Sequence, residues 1–282
     1  TLRKIFLQLF SGEKKHYLVL LQNSNELRST GGYITHVADI TVGRYALNIR
    51  FLSVNEDLIH DEIIGPPEAM KRLLKVKTVQ LRDGNYNPDF SKTGELIAKL
   101  YNKTYQEFDV GGVMAINYQI IEDLLRLSGE ITYDGKIINS SSLFYYLSTT
   151  VSNIDLHNKK ALENRKGIIK NIWKMIIKKS IFQWWKWLSL KKLIADGIAA
   201  KDIQVWLKER GEEKNTSFSF AGYRDSLSVI DNNYLGIKSN RYIRRVISRD
   251  ININDKGKIS ARVQIELMHA GGYSYPLSGT YQ

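Results

Sequence analysis

The stretch Val79–Phe90, VQLRDGNYNPDF, contains the residues whose types and spacing best suit chemistry, Arg82 and Asp83. The apolar run Val79-Gln80-Leu81 reads as a short strand that delivers an exposed Arg–Asp pair into a tight turn. Gly84, Asn85 and Asn87 supply the turn chemistry, Pro88 ends it, and a helical pattern follows. In an open α/β sheet, a strand end that feeds a helix through a turn is where ligands bind. A guanidinium there matches phosphate oxygens two at a time, and a carboxylate can ligate a metal or act as general base. The same four features also describe an ordinary junction carrying a solvated ion pair. Upstream, Asn23–Gly32 (NSNELRSTGG) adds Glu26 and Arg28 beside a double glycine, which lets backbone approach a ligand or turn sharply. Neither Gly31-Gly32 nor Gly111-Gly112 belongs to a GxxxxGK[ST] loop, which argues against a nucleoside triphosphatase.

Composition narrows the chemistry. The 282 residues allow one large domain or two smaller ones, and 43% apolar content marks a globular chain. With no cysteine, thiol catalysis, disulfides and thiolate metal sites are excluded. The five histidines, His16, His36, His60, His157 and His269, show no HxxxH or HExxH spacing, which argues against a zinc site. The net charge of +12 is concentrated: Leu156–Arg210 holds fourteen Lys/Arg against four Asp/Glu, a balance of +10. A patch this basic points to a phosphate-bearing partner: nucleic acid, anionic lipid or a phosphorylated small molecule.

The elements that must position these residues follow from periodicity. His16–Gln22 reads as a buried strand, and Tyr33–Val42 with Tyr45–Leu52 as a hairpin. Pro66-Pro67 opens a short helix to about Leu74. Ser91 is the expected N-cap of a helix reaching about Tyr105, with Leu96, Ile97, Leu100 and Tyr101 on one face. The strand VMAIN, residues 113–117, precedes a helix from Tyr118 to Leu127 that stops at Ser128-Gly129. This alternation predicts a parallel α/β sheet. From Ser140 to about Arg210 the pattern is helical, with Lys201–Lys208 as a last short helix. All five tryptophans fall between Trp173 and Trp206. The final part is β-rich: a strand at Leu227–Asp231, then a hairpin of Ile243–Ile253 and Ile259–Leu267 turning at Asn254–Gly257. The expected fold is a three-layer α/β/α core over residues 1–211, with a mixed, mostly parallel sheet and a Lys/Trp-rich helical segment at 156–210. A β-rich extension covers 212–282.

Four motifs in order, YLVLLQNSNELRSTGGY, LRDGNYNPDF, FDVGGVMAINYQIIEDLLRLSGEI and VIDNNYLGIKSN, resemble a bacterial envelope family, the domain of unknown function numbered four thousand and twelve. The first two-thirds also resemble, more weakly, the LytR–CpsA–Psr transferases, which move glycopolymers from a polyprenyl pyrophosphate carrier onto the cell wall. That resemblance implies a lipid-filled pocket in an α/β core. It also implies an extracytoplasmic location, with anchoring through an N-terminal segment not contained in this chain. Leu81–Asp83 looks like the Arg-Asp element that holds pyrophosphate. Ala161–Ile172 looks like a late helix start, which would turn Arg165 and Lys160 toward the phosphates. Arg82, Arg28, Arg165 and Lys160 are then the phosphate ligands. Asp83 and Glu26 are the catalytic or metal-binding carboxylates, and the implied cofactor is Mg2+ or another divalent cation. Where those transferases carry two early aspartates, this chain offers Asn23, Asn25 and Glu26.

The leading expectation is therefore an envelope protein that binds, and at its fullest transfers, a polyprenyl (pyro)phosphate-linked glycopolymer, acting as a phosphotransferase of that type. Its partners would be the lipid-linked glycan, cell-wall polymer, and a membrane surface met by the Lys/Trp-rich segment. The alternative is a non-catalytic binding or assembly module on the same fold. A nucleic-acid binder ranks last, because no RNP, helix-turn-helix or KH signature accompanies the basic residues. The Lys/Trp segment itself keeps three readings: a helix pair buried through Ile and Trp, a membrane-surface dock, or a nucleic-acid contact.

Overall fold

Lys15–Asn23 forms strand β1, and Tyr17, Leu18, Leu20 and Leu21 within it are all buried. A strand apolar on both sides has to be covered on both sides, which makes β1 the middle of a sheet. The computed structural model describes residues 15–43, 46–54, 64–105, 110–152, 159–208, 227–234 and 238–271. β2 (Tyr33–Gly43) and β3 (Ala46–Ser53) form the expected hairpin, with β2 also antiparallel to β1. The helix α1 (Glu68–Leu74) follows Pro67. Next, α2 (Phe90–Thr104) carries the chain to β4 (Val110–Asn117), which runs parallel to β1. α3 (Tyr118–Ser128) ends at Gly129. A small hairpin, β5 (Ile131–Tyr133) with β6 (Lys136–Ile138), turns on Asp134-Gly135, both at positive φ. Then α4 (Leu143–Ser152), α5 (Lys159–Phe182) and α6 (Trp187–Ala200) lead to β7 (Ile203–Leu207). A separate antiparallel pair, β8 (Ile243–Ile253) and β9 (Ile259–His269), closes the described chain.

The main sheet has the order β3-β2-β1-β4-β7. The mixed α/β class expected from the sequence is what the structure has, though the balance of directions differs from the expectation. β1 and β4 are the parallel pair, and the other three pairings are antiparallel. A strand's apolar pattern does not encode its direction; the connections do. Shorter links send β2 and β3 back antiparallel, the crossover through α2 returns β4 parallel to β1, and the long helical excursion from α3 to α6 brings β7 back antiparallel to β4. On one face α2 packs on Leu18, Leu20, Val37 and Leu52. On the other, α3 and α6 cover Tyr17, Val42, Val205 and Leu207. α5 lies over α3, with Ile172 and Ile176 against Ile121 and Leu125.

Four local expectations are corrected. Val79–Leu81 is not a strand; Leu81–Asp83 is a single 3₁₀ turn. Its backbone is satisfied locally, Asp83 N to Gln80 O at 2.9 Å and Gly84 N to Leu81 O at 3.1 Å, so no ladder is required. Residues 203–207 form a strand and not a helix, because Ile203, Val205 and Leu207 share one buried face at period two. Leu227–Asp231 forms no strand, and its Leu227 and Ile230 are exposed. The N-cap of α2 is Asp89, not Ser91: its carboxylate accepts from the Ser91 N–H at 3.0 Å. Asp89→Ala should lower stability by about 1 kcal/mol, with Asp89→Asn retaining most of it, measured by urea denaturation.

Sequence reading gave no sign of a polar cluster between α2 and the sheet. Register sets Asp39 opposite both Leu18 and Arg50, so it faces α2. Tyr101 donates its hydroxyl to Asp39 Oδ2 at 2.8 Å, and Arg50 donates to the same oxygen at 3.0 Å. His16 Nδ1 lies 3.2 Å from Asp39 Oδ1 and 3.2 Å from Thr41 Oγ1. Burial, then the Asp39 carboxylate, pushes the Tyr101 hydroxyl well above its ordinary range, so Tyr101 stays protonated and remains the donor. Arg50 also lies over the Tyr105 ring at 4.5 Å. Three strands and the C-terminal half of α2 are thereby tied at one carboxylate.

Candidate functional site

The loop that leaves β1, residues 23–32, folds on its own side chains. Asn23 Oδ1 accepts from the Asn25 backbone N–H at 3.2 Å and from its side chain at 2.9 Å. Asn23 Nδ2 donates to Glu26 Oε1 at 3.0 Å. These are the short-range bonds that Asn favours in turns. Gly31 has φ +119, and a Cβ there would sit 2.2 Å from Asn117 Nδ2, so only glycine fits. Behind the loop, Asn85 is fully buried and donates to Thr30 Oγ1 at 2.9 Å and Gly32 O at 2.7 Å. Gln22 donates to the same Thr30 hydroxyl at 2.7 Å, and Gln204 donates to Thr30 O at 2.7 Å. Asn117, at the end of β4, donates to Asp202 Oδ1 at 3.0 Å. The loop is thus a rigid rim over the carboxyl ends of the parallel pair β1 and β4, the position where open α/β sheets hold ligands.

Arg82, Asp83 and Arg28 come together at this rim. Leu81 is fully buried and anchors the 3₁₀ turn, which turns Asp83 inward and Arg82 outward. Arg82 Nε donates to Asp83 Oδ2 at 3.3 Å; the Arg82 side chain is 39% exposed and that of Asp83 7%. Asp83 is therefore not the exposed partner the sequence suggested. Burial pushes its carboxyl above the ordinary carboxylate range, against the opposing pull of Arg82 and then Arg28. Arg28 is itself 4% exposed. It donates to the carbonyls of Leu27 and Asn233 and lies between the rings of Tyr33 and Tyr234, at 5.2 and 5.1 Å from their centroids. Burial also pushes the Tyr234 hydroxyl up, with Arg28 pulling it down and Asp83 pushing it up.

The segment that carries Tyr234 is the last of the four sequence motifs, VIDNNYLGIKSN. It docks on the rim: Asn233 N donates to Leu27 O at 2.9 Å, Ser29 Oγ to Asn232 Oδ1 at 3.0 Å, and Asn240 Oδ1 accepts from Asn233 Nδ2 at 2.7 Å. The density of asparagine in NNYLGIKSN was the one available signal. Gln204 escaped notice because residues 201–208 read as a helix. Lys160 and Arg165 lie in the first turns of α5, and their side chains fall outside the described residues.

A hard divalent cation takes six or more oxygen ligands, of which the protein commonly supplies one or two carboxylates, with water and substrate phosphates completing the shell. Here Asp83 already pairs with Arg82 under the field of Arg28, and Glu26 Oε1 accepts from Asn23. Among the described residues no group of three or more His, Asp or Glu gathers to hold a metal. The donor set thus has both its carboxylates already engaged by protein side chains. It offers instead a guanidinium at the surface with one buried carboxylate and a second guanidinium behind it, a local excess of one positive charge suited to an anion. A separate groove of about 510 Å³ runs between α3 and α6, lined by Ile120, Leu127, Leu193 and Asp202 among others.

Several solved structures resemble the chain, three of them as follows. Protein gbs0355 from Streptococcus agalactiae is 15% identical, with 72% of each chain covered and a TM-score of 0.47. The Lin1025 protein from Listeria innocua is 14% identical over 89% of this chain and 91% of that one, with a TM-score of 0.42. A structure described as a transcriptional regulator, EF0465 from Enterococcus faecalis, is 13% identical over 68% of this chain and 66% of that one, with a TM-score of 0.41. At similarity this low, none of them carries an argument about function. No curated protein matches the sequence. Residues 12–151, which contain β1 to β4, the rim loop and the Arg82 turn, match the family described as protein of unknown function DUF4012.

Proposed function

We propose that the chain is an extracytoplasmic cell-envelope protein that binds the (pyro)phosphate headgroup of a polyprenyl-linked glycan at the Arg82 rim. The observation that carries the reading is Arg82 itself, a partly exposed guanidinium at the carboxyl end of the parallel pair, backed by Arg28 and only partly neutralised by Asp83. Guanidinium–phosphate bonds are charge-assisted and bidentate, so one well-placed Arg contributes about 1.5–3 kcal/mol.

A specific observation favours binding over transfer, the non-catalytic form of the same module. Beneath Arg82 the core is filled by fully buried Met70, Val79, Leu81, Phe90 and Leu100, and the nearest carboxylate is occupied by an arginine. Asp83 then competes with the ligand for Arg82.

The test uses polyprenyl phosphate in detergent micelles, uncharged polyprenol of equal length, and free pyrophosphate, followed by calorimetry. Polyprenyl phosphate should bind and polyprenol should not; free pyrophosphate separates headgroup recognition from lipid recognition. Arg82→Ala should weaken binding roughly tenfold or more. Asp83→Asn should leave affinity equal or higher, since it removes the carboxylate that competes with the ligand for Arg82; a transferase using Asp83 as base would instead lose all turnover with that change. Absence of binding to both phosphate ligands overturns the proposal. Asp83→Asn also carries a pH signature. An acid whose folded pKa lies above its unfolded value takes up a proton on folding, so its ionisation weakens the fold as pH rises through that interval. The variant should lose that part of the stability–pH curve in the acid range.

A further inference from the structure

We propose that the corner joining α5 to α6 docks on the surface of an anionic lipid bilayer. Within seven residues it exposes Phe182 (68%), Trp185 (64%), Trp187 (58%) and Leu188 (79%). These are not core residues turned outward by accident. The buried face of α5 is already supplied by Ile172 and Ile176, with Trp173 and Met175 packed beside them.

The corner is also held rigidly. Gln183 donates to Ser128 O at 2.9 Å, Lys186 to Leu127 O at 2.6 Å, and Lys179 to Glu130 O. These bonds tie the turn to the C-terminal end of α3, so the four apolar side chains are presented outward with little left to order on binding.

Charge identifies the occupant. From Ile168 to Ala195 the sequence has seven lysines and no Asp or Glu. Lys170, Lys174 and Lys178 are exposed at four-residue spacing along one stripe of α5, and Lys191 is exposed on α6, where the neighbouring Lys192 pairs with Asp196 at 2.6 Å. A second copy of this chain would bring lysine against lysine. Anionic headgroups complement the stripe, and tryptophan favours the headgroup level, where its ring is half wet and half apolar. No helix among the described residues is long and apolar enough to cross a membrane, so the contact is interfacial. α6, of fourteen residues, is about 20 Å long and ends near Asp202, so the corner lies roughly a helix length from the rim. The inference therefore does not rest on headgroup binding at Arg82.

The experiment is flotation with phosphatidylcholine vesicles with and without phosphatidylglycerol, read alongside tryptophan emission. The protein should float only with the phosphatidylglycerol vesicles, release with rising salt, and shift its emission to the blue. The triple change Trp185→Ser, Trp187→Ser, Leu188→Ser should cut vesicle affinity by about tenfold or more while the melting temperature holds, because these side chains are exposed. Lys170→Glu with Lys174→Glu and Lys178→Glu should abolish the lipid preference. The proposal is overturned if neither vesicle is bound or if the triple variant binds as the parent does. It is likewise overturned if the same residues prove to support dimers by sedimentation, or if single-stranded nucleic acid binds more tightly than the vesicles.

Discussion

Asp39→Ala should lower stability by about 3 kcal/mol, which for a chain of this length is a fall of roughly 6–12 °C in melting temperature. The change leaves the Tyr101 hydroxyl and the His16 ring in a dry interior without the carboxylate both of them contact. A buried polar group deprived of its partner costs about 1–3 kcal/mol, more than the intact bond contributes. The Arg50 share is discounted, because its side chain is 42% exposed and water replaces the lost carboxylate. Tyr101→Phe should cost less, about 1 kcal/mol, since it removes one donor and leaves Asp39 with Arg50 and His16. Because the residues share one oxygen, the double variant should fall short of additivity by about 1 kcal/mol. Additive behaviour in thermal denaturation would mean that the four groups do not form one network.

Gly94→Ala should destabilise, although helix propensity alone predicts the opposite sign. Gly94 lies inside α2, where alanine is favoured by about 1 kcal/mol. A Cβ at this position would stand 2.6 Å from Trp206 Cβ and 2.7 Å from its Cγ. Those atoms are fixed to the β7 backbone and cannot swing aside, so either α2 or the edge strand must shift. Overpacking of this kind costs about 1–3 kcal/mol, which exceeds the propensity gain. A melting temperature equal to or above that of the parent would show that α2 does not sit against β7 as described.

α2 was legible from its apolar stripe, and Ile97, Leu100 and Tyr101 are buried as expected. Nothing in the stripe announced that Gly94 is where a tryptophan 112 positions later comes closest, nor that Tyr101 serves a carboxylate on another strand. β7 was misread because a five-residue apolar run fits a helix turn or a buried strand equally well, and only an open sheet edge beside β4 decides between them. At the rim, the residue types of Arg82, Asp83, Arg28 and Glu26 were visible. Their exposure was not: Asp83 and Arg28 are dry because Leu81 and the Asn233–Tyr234 segment pack over and beside them.

What the sequence by itself determined is where apolar faces fall, where turns break them, and where positive charge gathers, because each is a property of neighbouring residues along the chain. Only the tertiary structure decided which charges lose their water and which tryptophans keep theirs. Hydration depends on what a distant segment lays over a side chain, and no local pattern records that.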